Sequence, residues 1–127
     1  MKISKELQKV ETEVLKHKAN YEKAKTKTDR LGTMSRTTNA KYDEARAELG
    51  DVVAKFGLKI HLYSKEAMAE LKRTRRKSVR LAVESNNALC DYNNALKKEL
   101  SISRKYNEVK TERNCLLASF VEELEIY

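Results

Sequence analysis

Apolar residues return along this chain at alternating spacings of three and four. In the first half the positions are Ile3, Leu7, Val10, Val14, His17, Tyr21, Ala24, Thr28 and Leu31. Polar Ser35 and Thr38 carry the same frame forward to Tyr42, Ala45, Leu49, Val52 and Phe56. A repeat of seven sustained over this many turns predicts a helix that packs along a partner helix. Its seam is weakest in the middle, where histidine, threonine and serine replace larger apolar side chains. The stretch Gly32-Thr33-Met34-Ser35-Arg36-Thr37-Thr38-Asn39 is rich in β-branched and capping types. It reads as a kink at 32–39 in one long helix more than as a break, because the frame is kept across it.

Gly50 is a stronger interruption. It follows Leu49 where a helix C-cap would place it, and Asp51 suits the cap of whatever comes next. These signals predict a first helix over 3–49 and a connector over 50–63. Within the connector Leu58, Ile60 and Leu62 alternate at period two, while Val53, Phe56, Ile60 and Tyr63 fit a helix. Periodicity does not separate a helical turn from an irregular apolar corner in so short a run. The connector is the expected fold-back point.

Ser64 reads as an N-cap, with Glu66 and Glu70 in the first two turns opposing the helix dipole. From there a second frame runs through Ala67, Leu71, Thr74, Ser78, Leu81, Ser85, Ala88, Tyr92, Ala95, Glu99 and Ile102. It continues at Tyr106, Val109, Arg113, Leu116, Phe120, Glu123 and Tyr127, and predicts a helix over 64–127. Side positions Leu89, Leu96, Leu100, Leu117, Val121 and Leu124 widen this stripe towards the C-terminus. The two segments would span roughly 70 Å and 95 Å at about 1.5 Å per residue. The expected fold class is all-α, a long antiparallel helical hairpin or coiled coil. A lone pair of helices buries little, so dimerisation into a four-helix or larger antiparallel assembly is expected. The last residues still lie on the stripe, which suggests a piece of a longer helical assembly.

Composition agrees with this pattern. The 127 residues include no proline, no tryptophan and three glycines, and 36% are charged. Those are proportions of long helices with thin interfaces, and the turn residues of a closed β-architecture are missing. The 27 bases exceed the 19 acids, giving +8. The excess is concentrated before residue 82, where 21 bases meet 11 acids. An anionic partner is implied: phospholipid, nucleic acid or an acidic protein face. No apolar run of about 18 residues predicts a membrane span. The expected location is the cytoplasm, at the periphery of a membrane or the cytoskeleton.

Little in the sequence supports catalysis. His17 and His61 have no neighbouring nucleophile or second ligand, and no phosphate-binding loop, HExxH or CxxC occurs. No enzyme activity, cofactor or metal is expected. Cys90 and Cys115, 25 residues apart, read as reduced and half-buried. The six tyrosines lie on the stripes and read as spacers in a thin seam. The expected seam is carried by Leu7, Val10, Val14, Tyr21, Leu31, Tyr42, Leu49 and Phe56 on the first helix. On the second it is carried by Leu71, Leu81, Tyr92, Ile102, Tyr106, Val109, Leu116 and Phe120.

One stretch stands apart from the rest. Between Leu71 and Leu81 lie Lys72, Arg73, Arg75, Arg76, Lys77 and Arg80, and no acid. On a helix, Lys72, Arg73, Arg76, Lys77 and Arg80 cover a broad solvent-facing arc, with Arg75 towards one flank. Lys55, Lys59, His61 and Lys65 lie just upstream. Clustered cations near acidic lipid contribute about 1 kcal/mol each, so the six are the expected anionic-surface site. Pairing of these cations with acids on a facing helix is the competing reading. A nucleic-acid patch ranks below both, since no DNA- or RNA-reading fold accompanies it. Arg75-Arg76-Lys77-Ser78 also has the form of a basophilic kinase site, although Ser78 lies on the stripe.

The chain resembles the helical core of BAR and F-BAR domains. The residues that carry the likeness are Lys18-Ala-Asn-Tyr21-Glu-Lys-Ala24-Lys and Lys41-Tyr42-Asp-Glu-Ala45-Arg-Ala-Glu-Leu49. Asp91-Tyr92-Asn-Asn-Ala95-Leu and Tyr106-Asn-Glu-Val-Lys-Thr-Glu112-Arg113 extend it. The resemblance is one of pattern, without a diagnostic motif. It implies a homodimer of long antiparallel helices that binds acidic membranes through lysines and arginines. The alternative is a coiled-coil structural or adaptor subunit whose partner is another helical protein.

Overall fold

The computed structural model describes residues 2–56 and 64–126, all but one of them helical. There are two helices, α1 (Lys2–Phe56) and α2 (Lys65–Ile126). From Leu7 to Phe56 and from Ala67 to Glu123, every residue of the two apolar frames is buried or half-buried. That is the expected result when a seven-residue repeat winds one stripe onto a single partner.

The chain divides into two compact units, each built from a piece of both helices. In the first, residues 1–29 pair with 94–127. Val10, Val14 and Val109 form its buried cluster, with Tyr106 and Leu116 packed against it. The rings of Tyr21 and Tyr106 stand 5.8 Å apart, centre to centre. Further along, the Thr28 hydroxyl donates to the Ala24 carbonyl at 2.9 Å and lies 3.4 Å from the Ala95 carbonyl of α2. A side chain on one helix reaches the backbone of the other because alanine leaves the way open. The order of these contacts makes the pair antiparallel.

The second unit comprises residues 30–93 and is antiparallel as well. Gly32 lies under Tyr92, Ser85 Oγ donates to Asn39 Oδ1 at 3.4 Å, and Lys77 Nζ meets Glu48 Oε2 at 3.1 Å. A Cβ added to Gly32 would stand 2.9 Å from Tyr92 Cε2. The glycine costs the helix about 1 kcal/mol relative to alanine and makes room for the ring. Gly32→Ala is expected to be neutral or destabilising in thermal unfolding. Gly32→Ala with Tyr92→Leu removes the clash and should be more stable than Tyr92→Leu alone by up to about 1 kcal/mol.

One expectation is corrected. The first helix does not stop at Leu49. It runs through Gly50 and Asp51 to Phe56, so the first half of the expected connector is helical. Nothing lies within 4 Å of a Cβ placed on Gly50, and the chain there simply continues the turn. Val52, at 7% exposure, and half-buried Phe56 stay on the seam; their burial outweighs the local cost of glycine. Residues 57–63, including Leu58, Ile60 and Leu62, lie outside the described residues. Across Gly32–Asn39, α1 is helical at every residue. There the hydroxyls bond back along the helix: Thr37 to the Thr33 carbonyl and Thr38 to the Met34 carbonyl, both at 2.9 Å. Such bonds satisfy the side chain within the helix and are of a kind that often bends it.

The start of α2 follows the sequence signal. Ser64 Oγ accepts from the Ala67 N–H at 3.1 Å, and the Ser64 carbonyl accepts from the Met68 N–H at 3.0 Å. Ser64→Ala should lower stability by about 1 kcal/mol. Ser64→Asp should restore it, as read from denaturant midpoints.

Candidate anionic-surface site

The site lies in the second unit, early in α2. Its inner edge is Leu71, Thr74, Ser78 and Leu81. Thr74 is 3% exposed, Ser78 and Leu81 are each 7% exposed, and Leu71 is half-buried. Thr74 keeps its hydroxyl satisfied by donating to the Glu70 carbonyl at 2.8 Å. With this edge seated, helical geometry turns the intervening residues outward. Lys72, Arg73, Arg75, Arg76, Lys77 and Arg80 are all exposed. The structure thus brings the six cations together on one rigid, capped helix.

Their partners are few. Lys77 meets Glu48 of α1, with both side chains about half exposed. Arg80 Nε lies 4.0 Å from Glu84 Oε1 on its own helix. Among the described residues no acidic side chain lies within ion-pair range of Lys72, Arg73, Arg75 or Arg76. The facing stretch of α1, residues 41–56, has three bases and four acids, so it offsets little of the patch. Exposed ion pairs such as Lys77–Glu48 contribute at most about 1 kcal/mol. Glu48 had no particular mark in the sequence, since only the antiparallel register sets it beside Lys77.

Other chemistry-bearing residues are dispersed. His17, on the seam of the first unit, lies 3.4 Å from Glu13 one turn away. His61 falls outside the described residues. Cys90 and Cys115 are free and exposed, which corrects the expectation that they are half-buried. Both sit between stripe positions, where α1 does not reach. Ser78 Oγ belongs to a residue at 7% exposure, so a kinase would meet the basic arc before the serine. Among the described residues no group of three or more His, Cys, Asp or Glu side chains is placed to hold a metal ion. No helix among them is long and apolar enough to cross a membrane.

Comparison of the chain with protein-family models, curated proteins and solved structures found no match.

Proposed function

We propose that this chain is a non-enzymatic, dimeric helical protein that docks on an anionic surface, acidic membrane lipid first among them, through Lys72, Arg73, Arg75, Arg76, Lys77 and Arg80. The observation that carries the reading is the exposure of all six cations along one anchored stretch of α2, about two and a half turns long. Four of them have no acid in ion-pair range among the described residues. A rigid patch delivers its charges together, and six near an acidic bilayer would contribute about 6 kcal/mol at most. The resemblance to BAR and F-BAR cores supports lipid over other polyanions.

Vesicle co-sedimentation tests this reading. Binding should be strong to vesicles containing phosphatidylserine and absent from phosphatidylcholine alone. It should fade between about 0.1 M and 1 M salt, as the Debye length falls from about 10 Å to 3 Å. Equal binding to both vesicles, or none to either, rejects the membrane reading.

A second reading is a coiled-coil structural or adaptor subunit of a larger assembly. The exposed leucines and valines of α2, among them Leu100 at 55% and Leu124 at 53%, favour it. A chain of that kind would pull down a helical partner independently of salt and of the basic patch.

A further inference from the structure

Among the described residues no large side chain is fully enclosed. Part of the exposed apolar surface has a definite order. On the α2 segment of the first unit a second row runs beside the seam, again at alternating steps of four and three. It begins with Leu96, Leu100 and Ser103, passes Asn107, Lys110 and Asn114, and ends with Leu117, Val121 and Leu124. The leucines and the valine at its two ends are exposed at 38–55%, and Ser103 is half-buried. α1 does not cover the apolar ends of this row.

In residue type the row is nearly the same from either end, with Lys110 at its centre. Leucine answers leucine or valine at the ends, and asparagine answers asparagine inside. Ser103 opposite Leu117 is the one unlike pair. A two-fold interface needs a self-complementary patch, because residue i of one copy meets j of the other and j meets i. Charge then chooses the direction. Residues 94–110 contain five bases and two acids, while residues 111–127 contain one base and four acids. Parallel pairing would set like charge on like. Antiparallel pairing about Lys110 sets the basic half of each copy on the acidic half of the other.

We infer that a second copy of this chain docks on this row, antiparallel, with the two-fold axis passing close to Lys110. Leu96 then meets Leu124 of the copy, Leu100 meets Val121, and the asparagines face across the middle. The inference deepens the dimeric part of the proposed function and rests on that part alone, not on lipid. The row is about 42 Å long and a helix about 10 Å wide, so the footprint is at the lower edge of specific interfaces. A micromolar, concentration-dependent dimer is expected. Two features weaken it. Ser103 gives Leu117 of the copy no apolar partner, and Lys110 meets its own copy at the axis. The Lys110 ammonium lies 4.2 Å from the centre of the Tyr106 ring, back towards its own chain.

The test uses the full chain with the exposed Cys90 and Cys115 changed to serine. In that background Lys110→Cys should oxidise to a disulfide-linked dimer at least ten times faster than Leu96→Cys, whose copies stand about 42 Å apart along the axis. Lys110→Leu and Ser103→Leu should each tighten the dimer, the former about tenfold, in sedimentation equilibrium. Val121→Glu should leave a helical monomer. A chain that is monomeric at every concentration overturns both the inference and the dimeric reading. A dimer that survives Val121→Glu, with Lys110→Cys uncross-linked, overturns this face and leaves the dimeric reading standing. Equal cross-linking at positions 96 and 110, or a dimer that neither leucine substitution tightens, overturns the antiparallel register.

Discussion

Replacing Arg73, Arg76, Lys77 and Arg80 together with glutamate should abolish sedimentation with acidic vesicles at 0.1 M salt. Each base near an anionic surface contributes about 1 kcal/mol. Removing four therefore costs at least about 4 kcal/mol, and the new carboxylates add repulsion. A loss of about a thousandfold in partitioning follows from about 1.4 kcal/mol per decade. All four side chains are exposed, so helix content by circular dichroism should not change. One control separates charge from local pairing. Glu48→Lys with Lys77→Glu exchanges the partners of the 3.1 Å contact and keeps the net charge of the region. That double variant should bind vesicles nearly as well as the native chain. Unchanged binding by the fourfold variant would sink the patch as the docking site.

The second large effect concerns stability. Val14→Asp is expected to lower the unfolding free energy by at least about 3 kcal/mol, a large share of the roughly 5–15 kcal/mol typical of a domain. Val14 is 5% exposed and belongs to the cluster with Val10 and Val109. A carboxylate there loses its water and gains no partner. The neighbouring Leu15, at 66% exposure, is the matched control. Leu15→Asp should change the midpoint by less than about 0.5 kcal/mol. Chemical denaturation followed by circular dichroism reads both. A midpoint for Val14→Asp that stays within error of the native value would mean that this cluster does not hold the first unit together.

These predictions rest on features of unequal legibility. The seam could be read residue by residue, because an inward position on a long helix depends only on its place in a seven-residue frame. Even polar Thr28, Thr74 and Ser78 follow the frame and are buried. The end of α1 could not be read in this way. Gly50 carries a strong local stop signal, but Val52 and Phe56 remain on the seam, and non-local packing prevailed over a local cost of about 1 kcal/mol. The exposure of the two cysteines was likewise set by where the partner helix is not. The basic cluster was plain in the order of residues 71–81. Its pairing with a single acid of α1 was not.

Residue order alone makes the chain helical, turns one face of each helix inward and gathers six cations on one outward arc. All three depend on local order along one stretch of chain: a periodicity, an absence of proline and a run of bases. Which turn of α1 lies against which turn of α2 is a matter for the folded pair. A seven-residue repeat looks the same after every slip of seven, so hydrophobic pattern leaves that register degenerate. Size and direct contact break the degeneracy: Gly32 under the Tyr92 ring, Thr28 against the Ala95 carbonyl, Glu48 beside Lys77. With that register chosen, the apolar ends of the second row of α2 are left facing outward.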